Sequence, residues 1–259
     1  MFRIGTGFVV VMIIGGCASS REPSSTAASP VPSTPQPTLM TPLDRATPVA
    51  STPDWNVQRV KGDADLQPRM MGGQWRLGDM VVEENLPVGY PPPTPPGVIE
   101  IKRYPSVRRA QVSSDQPYPD AGMWAGFWPL FRHIERNEIP MTSPVEMDMA
   151  DWSGELNQPP SSWTMSFLYR TEDMGPIGWE GNVEVVDREP VTVLAIGLQG
   201  PYGVRTMAPG VKELQDWLET QDEWEVAGDP RGFYYNGPYI PNRLKWGEAQ
   251  VPVRRRATP

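Results

Sequence analysis

The sequence predicts an α+β fold: a distorted β-barrel of mainly antiparallel strands, flanked by two helices and built from two like halves. Three observations predict it. Apolar and polar residues alternate at period two in several short runs between Val98 and Val253. Two stretches, Met123 to Arg136 and the run opened by Pro209, carry apolar residues at helical spacing instead. Strands, a helix and a strand pair are followed by a strand pair, a helix and a strand pair, an order that reads as a repeated unit around one core.

Each element has its own local reason. Val98 to Tyr104 and Val107 to Val112 are β-like and broken by Pro105. In the helix that follows, Met123, Trp124, Leu130, Phe131 and Ile134 fall within about 60° of Phe127 on a 100° wheel, which makes one apolar face. Asn137 and Pro140 end it. Val145, Met147 and Met149 alternate with Glu146 and Asp148, and Trp163, Met165, Phe167 and Tyr169 alternate with Thr164, Ser166 and Leu168. Both runs fit half-buried strands, with Glu146 and Asp148 on a solvated face. Val183 to Val186 and Val191 to Leu198 flank the turn Asp187-Arg188-Glu189-Pro190, and the second of these is apolar on both faces, as a central strand would be. Pro209 suits the first turn of a helix, and Val211, Leu214 and Leu218 follow at its spacing. Phe233 to Tyr235 and Trp246 to Val253 close the unit as strands.

The N-terminal third is organised differently. Residues 1–17 read MFRIGTGFVVVMIIGGC, with Arg3 ahead of an unbroken apolar run from Phe8 to Ile14. A bilayer span takes about 20 residues, so this run fits a secretory signal better than a membrane helix. Small residues then stand directly before Cys17, and the pattern resembles the lipobox of bacterial lipoproteins. That resemblance implies a diacylated Cys17 as the mature N-terminus, anchored in the bacterial envelope, and Ala18 in place of Asp leans towards the outer membrane. Of residues 18–54, 21 of 37 are Pro, Ser or Thr, which predicts a disordered tether. Residues 55–97 read as an extension laid on the domain, with one strand near 79–84 and a polyproline-type spacer at Pro91–Pro96. Residues 254–259, with three consecutive arginines, read as a solvated basic tail.

Composition excludes several classes of function. The formal net charge of −8 argues against a nucleic-acid partner, whose phosphates need a basic face. A single cysteine permits no intramolecular disulfide and no multi-thiolate zinc site, and a single histidine, His133, permits no multi-histidine metal site. No nucleophile elbow, phosphate loop or base–orienter pair is visible, so the sequence reads as a binder and not an enzyme.

Five stretches, in order, resemble the SOUL/haem-binding protein family. They are VIEIKRYPSVRRAQV (98–112), GFWPLFRHIERNEIPMTSPVEM (126–147), WTMSFLYR (163–170), VEVVDREPVTVLAIGLQGPYG (183–203) and YYNGPYIPNRLKWGEAQVPV (234–253). Met141-Thr142-x-Pro144-Val145 is the most specific piece. The resemblance covers about residues 98–253. It implies the barrel with two helices, and non-covalent binding of haem or another tetrapyrrole in an apolar groove beside the first helix. The sequence departs from the family in places. Arg103 stands where one branch has a histidine, His133 where members often have tyrosine, and the closing strand differs at Lys245-Trp246-Gly247-Glu248-Ala249.

Haem binding needs an apolar slot, cations for two propionates and, optionally, an axial donor. Met123, Trp124, Phe127 and Phe131 share the helix face that would line the slot. Arg103 and Arg205, with Lys212, are the candidate propionate partners. His133 lies about 110° from the centre of the apolar face. It is therefore a flank residue, and it is the one imidazole candidate for the iron. Met141, Met147, Met149 and Met165 are the other soft donors. Two alternatives stay open on the same fold: a site for a different apolar small molecule, or an envelope scaffold that holds no ligand.

Overall fold

The structure, a computed structural model, describes residues 56–117 and 119–257. The expected leader, the Cys17 anchor and the tether lie outside the described residues. In chain order the elements are β1 (Val57–Lys61), β2 (Arg69–Met71), β3 (Gln74–Leu77), β4 (Met80–Val81), β5 (Ile99–Tyr104), β6 (Val107–Ser114), α1 (Pro119–Arg136), β7 (Val145–Ala150), β8 (Ser162–Leu168), β9 (Gly178–Glu180), β10 (Val183–Arg188), β11 (Val191–Gln199), α2 (Val204–Glu219), β12 (Trp224–Val226), β13 (Arg231–Tyr234) and β14 (Trp246–Arg255).

Eleven strands form one antiparallel sheet in the order β1-β5-β11-β14-β13-β7-β8-β6-β10-β9, with β12 beside β14; β2, β3 and β4 form a small second sheet. The large sheet is open, not the closed barrel the sequence predicts. The β5–β11 and β6–β10 pairs lie near opposite ends of that order. Tyr104 pairs with Val191, and three residues further on Val107 pairs with Arg188, so one register runs from β5–β11 into β6–β10. Between them lie Pro105 and Pro190, which have no N–H to give the ladder, and the pairing stops there. The pairing establishes an open sheet, and the likeness of two halves stays an expectation of the sequence.

Both helices begin earlier than their apolar periodicity predicts. α1 starts at Pro119 because its first turns carry glycines where the periodic signal looks for apolar side chains. A Cβ at Gly122 would lie 2.5 Å from the Trp163 ring, and one at Gly126 3.1 Å from it. These two glycines let the helix backbone rest on β8. α2 starts at Val204, so Pro209 sits inside the helix and not in its first turn. Its first free N–H, on Val204, donates to the Asp120 carboxylate of α1 at 3.2 Å. Burial raises the pKa of Asp120, and this hydrogen bond opposes the rise. Met207, Val211, Leu214 and Leu218 bury the apolar stripe of α2 in the main core.

The alternation in β7 marks two faces correctly, but both are covered. Met147 and Met149 join the main core. Glu146, expected in solvent, is 2% exposed and accepts from Arg231 at 2.8 Å. Asp148 accepts from Arg109 at 2.9 Å. Periodicity shows that a face is polar; it does not show that arginines from β6 and β13 will cover it.

Pro91–Pro96, read as a spacer, is a strap on the sheet. Pro96 bridges to Gly197 of β11, where a Cβ would come within 2.1 Å of the Pro95 carbonyl oxygen. The Trp246 indole donates to the Thr94 carbonyl at 2.7 Å. Beneath the strap Lys102 and Glu248 pair at 2.7 Å, both fully buried. Met80, Val82 and Leu86 of the extension pack with Tyr104, Phe233, Tyr235 and Trp246 in a second core cluster.

Candidate ligand groove

The apolar face of α1 is wider than the core beneath it. Leu130 and Ile134 are buried, whereas Met123, Phe127 and Phe131 are only partly covered and Trp124 is 53% exposed. These four side chains form one wall of a groove of about 440 Å³. Phe127 stacks on Phe131 with centroids 5.8 Å apart, and Trp124 meets Phe127 edge-on at 5.8 Å. Met141, Val145 and Met165 lie along the groove, and Tyr202, Tyr234, Tyr235 and the loop at residues 236–239 line it as well. Tyr202 and Tyr234 stack at 4.3 Å.

The fold itself uses most polar groups in this lining. Thr142 donates to the Leu168 carbonyl and Ser143 to the Tyr235 carbonyl. Tyr202 donates to the Trp246 carbonyl at 3.0 Å, Tyr234 meets the Met207 sulfur, and Tyr235 donates to Glu248 at 2.8 Å. Asn236 donates to the Val81 carbonyl and accepts from the Trp246 N–H. Burial raises the pKa of all three tyrosines well above the ordinary phenol value, with Glu248 adding to the effect at Tyr235.

What remains is charge at the mouth. Glu83, Glu84 and Lys245 line it. Glu83 accepts from the Tyr239 hydroxyl at 3.0 Å, and the Lys245 ammonium lies 5.2 Å from the centre of the Tyr202 ring.

The sequence-derived candidates divide. Met123, Trp124, Phe127 and Phe131 are brought together in the groove. Arg103 and Arg205 are not. Arg103 is half-buried on β5, and Arg205 lies exposed on α2, beside a separate cleft with Trp152 and Pro119. Lys212 pairs with Asp216 along α2. Among the described residues Lys245 is the cation at the groove. His133 is also elsewhere. It is 4% exposed, with Nδ1 at 2.6 Å from Glu180 and Nε2 at 2.8 Å from the Tyr169 hydroxyl. Both ring nitrogens have partners within the protein, and His133 does not line the groove. Periodicity missed the wall made by Tyr202 and Tyr234 to Tyr239. Its one local signal is the aromatic-Gly-Pro density of YYNGPY.

Among the described residues, no group of three or more His, Cys, Asp or Glu could hold a metal ion. No described helix is long and apolar enough to cross a membrane.

The site is thus an aromatic groove between a helix and an open antiparallel sheet, with most of its polar groups used by the fold. A family model described as SOUL heme-binding protein matches residues 94–246, more than half of the chain, and the chain belongs to that family. No curated protein matches it. Among solved structures, the EcmrR C-terminal domain is 16% identical with a TM-score of 0.51, over 61% of this chain and 98% of that one. EcmrR in its DNA complex gives 16% identity and 0.52, over 61% and 57%. At this identity the likeness shows the fold alone. A hydrolase from Listeria innocua, at 14% identity and a TM-score of 0.45 over 62% and 93%, carries no argument.

Proposed function

We propose that this protein binds haem or a related tetrapyrrole non-covalently, in the groove beside α1. The observation that carries the reading is the convergence of Met123, Trp124, Phe127 and Phe131 on one wall of a groove of about 440 Å³. Ligand pockets run from roughly 300 to 1,000 Å³ and are mostly apolar. The walls fit a macrocycle, and the family supplies its identity. The donor set fits less strongly. The groove offers thioethers from Met123, Met141 and Met165, but no imidazole or thiolate. The reading is therefore binding by the faces of the ring, with its carboxylates turned outward and one of them able to reach Lys245. When bound, the group would supply its own iron chemistry; the chain's residues hold and orient it and shield it from water.

Binding, not catalysis, is what the family supports. The site would be held at the bacterial envelope by a lipid on Cys17, for which the support is the leader pattern of residues 1–17. No nucleic-acid partner is proposed, in keeping with the acidic charge.

The test is a titration of the purified protein with hemin at low micromolar concentration. A saturable shift of the Soret band is expected. No saturable shift, in a preparation shown by circular dichroism to be folded, ends the haem reading.

A further inference from the structure

The mouth of the groove carries a sign of charge that the haem reading does not use. Glu83 is half-buried and Glu84 exposed, and both border the same opening. Glu83 is held by the Tyr239 hydroxyl, and neither carboxylate is matched by a cation among the described residues. The one ammonium there, Lys245, is drawn over the Tyr202 ring. The groove is thus net negative, in a chain that is itself acidic. Behind the mouth stand Trp124, Phe127, Phe131 and Tyr202, whose ring faces attract positive charge. The Thr142, Ser143, Tyr202 and Tyr235 hydroxyls and the Asn236 amide are spent on backbone carbonyls and on Glu248. At a partly dry mouth such charges act with less screening than in water.

We propose that the groove takes flat aromatic cations, and takes them in preference to carboxylated analogues of the same shape. The proposal rests on the reading of this groove as a ligand site, and not on haem being its ligand. A planar delocalised cation would lie between the α1 wall and the tyrosines, with its charge towards Glu83 and Glu84. Haem meets the same walls but brings carboxylates to a mouth with two like charges and one opposite.

The experiment compares rhodamine B with its ethyl ester, which differ by one carboxylate on a shared cationic ring system. Binding to the full-length protein is followed by fluorescence polarisation at low salt. The ester is expected to bind saturably and roughly tenfold more tightly than the acid, the discrimination one differential charge contact supplies. In Glu83→Gln/Glu84→Gln the ratio should fall to about threefold or less, and in Lys245→Met it should rise. Equal affinities in the unaltered protein, or a ratio that survives the double Gln variant, would overturn the proposal. A hemin titration of the same preparation scores the other reading separately. Saturable hemin binding without ester binding sinks the cation proposal alone, and loss of both in folded protein sinks the groove as a ligand site.

Discussion

The Nε2 of His133 lies 2.8 Å from the Tyr169 hydroxyl, and the two side chains join α1 to the end of β8 inside the protein. Glu180 on β9 completes the chain at Nδ1. A carboxylate only accepts, so Nδ1 carries the proton shared with Glu180, and Nε2 and the phenol oxygen share the second hydrogen bond. Burial raises the Tyr169 pKa to about 12, which keeps that phenol protonated. The single histidine of the chain is a structural clasp across three elements.

His133→Ala should therefore cost stability and leave the ligand alone. It strands the buried Tyr169 hydroxyl, a loss of about 1–3 kcal/mol. Urea unfolding should show that drop in midpoint. The hemin affinity and spectrum of the folded variant should stay within about twofold of the parent, as expected for a site with no shared partner. A changed spectrum would return His133 to the list of iron ligands.

Trp124→Ala should do the reverse. Its ring is 53% exposed, and truncating an exposed side chain moves stability by only about 0.5 kcal/mol. If the ring covers a bound macrocycle, hemin affinity should fall roughly tenfold, equivalent to about 1.4 kcal/mol of lost contact. Leu130→Ala on the buried side of α1 provides the contrast, with a stability loss of about 2–5 kcal/mol from a core cavity. Paired titrations and unfolding curves of the two variants check the separation.

One wall of the groove was legible from sequence because Met123, Trp124, Phe127 and Phe131 are neighbours on a single helix, where a 100° step brings them together. The other was not, because Tyr202 and Tyr234 meet it only through the pairing of β11, β14 and β13. The same limit applies to polar residues. On their own elements Glu146 looks solvent-facing and His133 lies on a flank, and each is buried with partners 85 and 36 residues away in the chain. The five ordered motifs were legible as a family because they survive as local strings, and the family match at 94–246 overlaps the stretch they mark. The Pro91–Pro96 run is legible as part of an extension laid on the domain, but its seat is not, because that seat is a missing side chain at Gly197.

That missing side chain yields its own test. Gly197→Ala places a methyl where the Pro95 carbonyl oxygen now lies, 2.1 Å away, so backbone must move. Overpacking of this kind costs about 1–3 kcal/mol. Amide hydrogen exchange at Thr94 and Gly97, whose N–H groups bond Glu248 and the Gly197 carbonyl, should quicken in the variant. Unchanged protection there would mean that the strap is not held by this contact.

The proposed lipid on Cys17 has a test independent of the groove. With its leader intact and expressed in a bacterium, the chain should take up a metabolically supplied palmitate analogue and sediment with membranes. Cys17→Ser should abolish the label and release the protein to the soluble fraction. Label retained in that variant would remove Cys17 as the anchor.

Lys102 and Glu248 supply a prediction whose sign depends on which partner is removed. Both are fully buried, and Glu248 also accepts from the Thr94 N–H and the Tyr235 hydroxyl. Burial alone would raise the Glu248 pKa, but the Lys102 charge and hydrogen bond, with those from the Thr94 N–H and Gln250, outweigh it and hold the carboxyl below its ordinary value. The stability it contributes is therefore fully present above the ordinary carboxylate pKa of about 4.3, and is lost as pH falls through the depressed value. In Lys102→Met the cation is gone, and a buried unpaired carboxylate costs about 3–5 kcal/mol near neutrality. Burial then dominates and raises the Glu248 pKa, so the lost stability should return as pH falls and the carboxyl takes a proton. Lys102→Met/Glu248→Gln should recover part of the loss and remove this contribution to the pH dependence. Urea midpoints from pH 7 down to about pH 4 distinguish the cases: relative to the parent, the single variant should gain stability on acidification and the double variant should not. A single variant whose deficit is constant with pH would mean that Glu248 is already protonated, or no longer buried, once Lys102 is removed.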